Sequence, residues 1–227
     1  LPRSKARSVS EVKINGSILI AICLFLLAHM ASAETWYVKT SGNDSAAGTN
    51  WVTAKATIQA AVDVASAGGV VIVTNGRYST GERLWAGTSS RVVITNSVTV
   101  RSVNGPAQTF IDGSNTTRCV YLTAGAYLWG FTLTNGHSSE GAGVYAEGNA
   151  TISNCVLTGN SGVSDGGGAY GGTLFNCTFA GNYAFDGAGS YESTLHNCIL
   201  TTNSAGFYGG ASYGGVLNNC VLANNSA

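Results

Sequence analysis

From residue 119 onward the apolar positions recur with a fixed step. Four segments align: Thr151-Ile152-Ser153-Asn154-Cys155, Thr173-Leu174-Phe175-Asn176-Cys177, Thr194-Leu195-His196-Asn197-Cys198 and Val216-Leu217-Asn218-Asn219-Cys220, with their cysteines 22, 21 and 22 residues apart. Two residues after each Cys comes Leu157, Phe179, Leu200 or Leu222, and then Asn160, Asn182, Asn203 or Asn225. Gly-rich stretches ending in Tyr145, Tyr170, Tyr191 and Tyr213 precede each copy, and a weaker copy runs through Leu128, Phe131 and Leu133. Self-similarity at this period predicts a solenoid whose turns stack on one another.

Two solenoids use about this many residues per turn. Leu174-x-x-Cys177-x-Phe179-x-x-Asn182 superficially fits the leucine-rich pattern, but that pattern needs a further Leu where Ala184, Ala205 and Ala227 stand. The remainder is Gly-rich with no helical period. A right-handed parallel β-helix with about 22-residue coils fits better, because each coil there is three short strands broken by turns. Leu174 and Cys177 have opposite parity, so both face inward only if the chain bends between them. Phe175-Asn176 is the expected corner, since Asn tolerates left-handed backbone and stacked Asn side chains bond to their copies. The Asn154, Asn176, Asn197, Asn219 column and the Asn160, Asn182, Asn203, Asn225 column are therefore read as structural ladders. Gly166-x-Gly168-x-x-Gly171, with Asp186 some twenty residues on, matches a dinucleotide fingerprint. The repeat explains it, and no βαβ unit surrounds it.

Upstream, Ile58, Ala61, Val62 and Ala65 share one helical face that ends at Gly68-Gly69, predicting a short N-terminal capping helix. Val70 to Val73, Arg91 to Ile94 and Val98 to Val100 read as strands, with turns at Asn75-Gly76 and Asn104-Gly105-Pro106. Residues 1–33 read as a signal peptide: Arg3, Lys5, Arg7 and Lys13 precede an apolar run from Ile18 to Ala28, and Ala31-Ser32-Ala33 is a small-x-small cleavage pattern. That run is too short to span a bilayer, which takes about 20 residues. The expected organisation is 1–33 signal peptide, 34–118 N-terminal cap and first coils, and 119–227 repeat coils truncated at the C-terminus, with further coils in the full-length chain. Export through a Sec-type signal, to the extracellular space or a bacterial outer surface, follows.

Composition narrows function more than fold. Only 10% of the 227 residues are charged, the formal net charge is zero and there are 31 Gly. Nothing forms the basic stripe that grips a phosphate backbone, so nucleic acid is not expected as a partner. Cys155, Cys177, Cys198 and Cys220 are expected as a stack of buried thiols, because in-register side chains point the same way and meet disulfide geometry poorly. Glu140, Asp165 and Asp186 form a repeated acidic column, each before a Gly-rich turn, with Tyr208 in the next copy. Oxygen-only ligands of this kind suit a hard cation, making Ca²⁺ the one cofactor to consider.

Gly167-Gly168-Ala169 and Gly209-Gly210-Ala211, with Phe179-Ala180-Gly181-Asn182, resemble the GGA(I) and FxxN repeats of chlamydial polymorphic outer membrane proteins. Leu replaces Phe at 157, 200 and 222. Trp36-Tyr37-Val38 through Tyr78, with Gly42-Asn43-Asp44 and Thr57-Ile58-Gln59-Ala60-Ala61, is similar to the N-terminal region of secreted bacterial pectate-lyase-like β-helix proteins. The resemblance implies adhesins, autotransporter passengers or polysaccharide enzymes alike. A lyase of that kind implies a basic side chain, usually Arg, beside calcium held by carboxylates, yet every Lys and Arg lies at or before Arg118. A polygalacturonase-like set of paired Asp with Arg-x-Lys is missing after residue 33, and His137 and His196 read as surface residues. The expectation is a non-catalytic surface or extracellular scaffold for a glycan or surface ligand. The alternative is a polysaccharide lyase or glycoside hydrolase with active coils beyond residue 227.

Overall fold

A computed structural model describes residues 34–227; the expected signal peptide, 1–33, lies outside the described residues. The chain winds as a parallel β-solenoid of about six turns. Its strands form sheets of thirteen, seven and four members. In the first sheet Val71, Val100, Leu128, Ile152, Leu174, Leu195 and Leu217 stack in register, one per turn. In the second, Ile111, Leu133, Leu157, Phe179, Leu200 and Leu222 do the same. The third, narrower sheet joins His137–Glu140, Ser161–Asp165, Tyr183–Asp186 and Ser204–Tyr208. An antiparallel hairpin, Arg83–Trp85 with Thr88–Ile94, projects from the first sheet. It lies within an early, longer turn. Partners such as Val71 and Val100 stand 29 residues apart, whereas Leu174 and Leu195 stand 21 apart. The parallel ladder crosses residues 118 and 119 without a break, through Arg118–Leu122.

Each turn closes because its corners hold residues that accept a left-handed backbone. Gly130, Asn154, Asn176, Asn197 and Asn219 occupy one corner at φ from 51° to 81°. Asn135, Gly159, Gly181, Thr202 and Asn224 occupy the next, at 53° to 64°. For L-residues this conformation costs roughly 1–2 kcal/mol, least for Gly and tolerably for Asn, so the pattern of Asn and Gly is set by the bend. Glycine at 143, 168 and 189 has a different cause. A Cβ on Gly168 would lie 2.4 Å from the Gly189 carbonyl oxygen and 2.9 Å from the Phe179 ring, so adjacent turns touch backbone to backbone there.

The interior is a stack of columns with almost no water contact. Leu128, Ile152, Leu174 and Leu195 are fully buried, as are Leu133, Leu157, Phe179 and Leu200. Their copies in the last described turn, Leu217 and Leu222, are 36% and 50% exposed. The helix is shorter than its apolar face suggests, Ile58–Val62, with Thr57 accepting from the Ala60 amide. Gln59 inside it is buried and accepts from the Val93 amide at 2.7 Å, tying the helix to the first sheet.

Candidate functional site

Two polar columns run inside the solenoid. Asn160, Asn182, Asn203 and Asn225 form a continuous ladder: the side-chain amide of each of the first three donates to the Oδ1 of the next at 2.9 Å. Each backbone N–H donates to the same oxygen at 3.0–3.1 Å. Because every amide group finds a partner, the column is satisfied without water. The corner asparagines behave otherwise: they serve the bend, and of them Asn219 donates to Asn197 Oδ1 at 2.6 Å. Cys119, Cys155, Cys177 and Cys198 are buried free thiols and Cys220 is half-buried. Burial pushes Cys119 up to about 12. Hydrogen bonding with Cys155 and Cys198, together with burial, holds Cys177 well above the usual thiol range, while the same contact pulls Cys198 down to about 7.

The acidic column does stack: Glu140 pairs with Asp165 and Asp165 with Asp186, and Tyr208 follows. Its carboxylates do not converge. Asp186 Oδ1 accepts from the Tyr208 amide at 3.0 Å, and among the described residues no three His, Cys, Asp or Glu side chains gather closely enough to hold a metal ion. Stacking along the axis spaces side chains by one turn instead of pointing them at a common centre. The Gly166, Gly168 and Gly171 fingerprint resolves into corners and a close approach, with Gly166 and Gly171 both at φ 66°. His196 lies flat against Phe175, ring centroids 4.8 Å apart. His137 is exposed on the third sheet.

The outer surface of the first sheet carries what the sequence reading missed. Tyr121, Tyr145, Tyr170, Tyr191 and Tyr213 are register partners. Their rings stack at 5.1, 4.8, 5.2 and 5.2 Å with interplanar angles of 3° to 19°. Four of these tyrosines were visible as repeat markers; Tyr121, 24 residues before Tyr145, was not among them, and the stacking adds it to the row. Burial raises the pKa of Tyr121 and Tyr145, and that of Tyr170 is pushed up to about 12. The row therefore presents neutral phenols, which both donate and accept hydrogen bonds.

One end of the row meets a cation. Arg118, 3% exposed, lies over Tyr121 and Tyr145 at 5.5 and 5.2 Å from their ring centroids. It donates to the carbonyls of Glu140 and Gly141 and to the Ser90 and Ser138 hydroxyls. Burial weakens its hold on the proton, and the nearby Tyr121, Tyr145 and Glu140 offset this only in part. Arg118, Tyr121, Glu140 and Tyr145, with Ala86 and Thr88 of the hairpin, line a niche of about 120 Å³. A chain with no basic residue after 118 thus still sets a guanidinium against its repeats. Glu147 accepts from the Tyr121 hydroxyl beside it.

Comparison with protein families, curated proteins and solved structures finds no match to this chain. Among the described residues no helix is long and apolar enough to cross a membrane.

Proposed function

We propose that this chain is an exported, right-handed β-helix that acts outside the cell as a non-catalytic binding scaffold, its helix Ile58–Val62 closing the first turn, and that its ligand is an extended glycan. The observation that carries this reading is the row of five tyrosines. From Tyr145 to Tyr213 one phenol per turn, spaced at 4.8–5.2 Å, offers an evenly stepped line of hydrogen-bonding groups on a rigid support, which buried Tyr121, donating to Glu147, continues inward. An extended β-linked polysaccharide strand repeats over a similar length, so successive sugars can meet successive turns. Tyrosine serves such contacts well because it offers contact area and a polar tip at low entropic cost.

The test is co-sedimentation with insoluble polysaccharides of neutral and acidic types. Wild-type protein is expected in the pellet with at least one of them, and Tyr145→Ala with Tyr170→Ala should bind at least tenfold more weakly at unchanged melting temperature. Equal binding by both proteins would remove the tyrosine row from the reading. Export is tested by N-terminal sequencing of secreted protein, which should begin at Glu34.

A second reading, a polysaccharide lyase or hydrolase, is favoured by the niche that joins Arg118 to Glu140, Tyr121 and Tyr145. Release of reducing ends or of unsaturated sugars by wild-type protein, lost in Glu140→Gln, would favour it over the scaffold.

A further inference from the structure

The tyrosine row is flanked by charge of one sign. Every acidic residue after position 118 stands near a row tyrosine in the chain: Glu140, Asp165 and Asp186 come five residues before Tyr145, Tyr170 and Tyr191, Glu147 two after Tyr145 and Glu192 one after Tyr191. The glycine that follows each of the first three presses against the row. A Cβ on Gly141 would lie 3.0 Å from Tyr170 Cβ, one on Gly166 3.2 Å from Tyr170 Cα, and one on Gly187 3.1 Å from Tyr191 Cβ. The acidic column and the tyrosine column are therefore neighbours across a tight corner. Burial, the adjacent Tyr145 and the carboxylates of Glu140 and Glu192 together push the Tyr170 phenol up to about 12, so these charges act on the row. Among the described residues none of the five carboxylates is in an ion pair. Glu147 accepts from the Tyr121 hydroxyl and Asp186 from the Tyr208 amide.

No cation in these turns balances that charge. The chain has no Lys or Arg after Arg118, and Arg118 itself is 3% exposed, with its donors turned to the Glu140 and Gly141 carbonyls. His196 is stacked on Phe175, and His137 sits on the third sheet. A single metal ion does not answer the charge either. Carboxylates set one per turn share no centre, and among the described residues no three gather to hold an ion. A ligand whose positive charges are strung along a chain can meet them one after another. In the fourth turn Tyr208 stands where the carboxylate was, 52% exposed and with its ring 6.0 Å from that of Tyr213. An aromatic face also attracts a cation, so the replacement keeps the preference for positive charge. The row phenols, meanwhile, both donate and accept hydrogen bonds. A sugar chain that carries amines brings hydroxyls to the phenols and charge to the carboxylates, whereas a lysine-rich peptide brings methylene stems to the phenols.

We propose that the tyrosine row takes a β-linked polymer of 2-amino sugars with free, protonated amines, its ammonium groups meeting Glu140, Asp165, Asp186 and Glu192 and its hydroxyls meeting the phenols. This rests on the glycan reading and adds the charge of the ligand. The experiment compares beads of β-linked poly-N-acetylglucosamine with the same beads after deacetylation, in low salt at about pH 5.5, where the amines are protonated and ordinary carboxylates are ionised. Wild-type protein should bind the deacetylated beads at least tenfold more tightly. That preference should collapse in about 0.5 M salt, which screens exposed charges within a few ångströms. Asp165→Asn with Asp186→Asn should remove most of the preference at unchanged melting temperature. If that variant melts early, Glu192→Gln decides the matter, since its carboxylate is exposed and has no hydrogen-bond partner among the described residues; it should weaken binding to the deacetylated beads at least twofold. Equal retention on the two kinds of bead, lost in Tyr145→Ala with Tyr170→Ala, would overturn the proposal and leave the glycan reading standing. Tighter binding to polylysine beads than to the amino sugar would overturn it in favour of a basic peptide. Retention on neither bead would overturn it as well, and the glycan reading falls with it only if the neutral and acidic polysaccharides also fail to bind.

Discussion

Replacing Asn182 by Ala should cost far more than replacing Asn176 by Ala, although the two are the same residue type six positions apart. Asn182 is 1% exposed, and its side chain takes part in four hydrogen bonds. It accepts from the Asn160 backbone and side-chain amides at 3.1 and 2.9 Å, and donates to the Leu157 carbonyl and Asn203 Oδ1 at 2.9 Å each. Each bond contributes about 1 kcal/mol net, and a buried group left without a partner costs about 1–3 kcal/mol. The Asn160 N–H becomes such a group. The sum is about 5–7 kcal/mol, and at about 2–4 °C per kcal/mol for a unit of this size the melting temperature should fall by about 10–28 °C. Asn176 is exposed and at φ 53°; its side chain supports the bend, so Ala there should cost only about 1 kcal/mol through left-handed strain. Circular dichroism melts and urea titrations of both variants make the comparison. Equal losses, or a loss below about 1 kcal/mol for Asn182→Ala, would refute the ladder as a stabilising element.

Three further outcomes follow from burial and charge. Leu195→Ala should cost about 2–5 kcal/mol, whereas Leu217→Ala, at a site already 36% exposed, should cost a small part of that in the same melts. Native-state thiol labelling should modify Cys220 well before Cys119, Cys155, Cys177 and Cys198, and denaturation without reductant should expose all five as free thiols; rapid native modification of Cys119 would contradict its burial. For Asp112, burial alone would raise its pKa, but hydrogen bonds from the Ser114 amide, Arg77 and Asn135 overcome this and hold it below the usual carboxylate range. The stabilisation it supplies is therefore present above the unfolded value of about 3.9 and disappears as pH falls through the lower folded value. Asp112→Asn should flatten that acid limb of the stability curve, and an unchanged limb would show that the depression is not expressed.

The repeat itself, the inward columns and the corner between Leu174 and Cys177 were all legible in the residues. A parity clash within five residues forces a bend, and a fixed period forces neighbouring turns into register. The strand Val70–Val73 also appears where its β-branched run places it. Other features were hidden because they depend on which turn lies beside which. Arg118 looked remote from the repeats, yet it lies in the turn beneath Glu140 and Tyr145 and donates to the Glu140 carbonyl 22 residues on; residues 118–122 lack the Asn-Cys pair that marks the later copies. The two asparagine columns looked alike in the sequence. One supplies left-handed corners and the other a buried ladder, a division set by whether the side chain points out of the bend or into the core.

Periodicity determined that this chain builds a solenoid, and its Asn and Gly corners and strand parity that the solenoid is β, because residues recurring every 21 or 22 positions are buried by stacking on their own copies. Tertiary structure decided the surfaces. Whether carboxylates in a column meet at a point or march along an axis, and whether tyrosines form a continuous row, are relations between turns, fixed by register and by the insertions that shift it. Glu140, Asp165 and Asp186 march without converging, while Tyr121 joins the tyrosine row by pairing with Tyr145. Local pattern specifies what a turn must contain; only the stacking of turns specifies what the protein presents to a ligand.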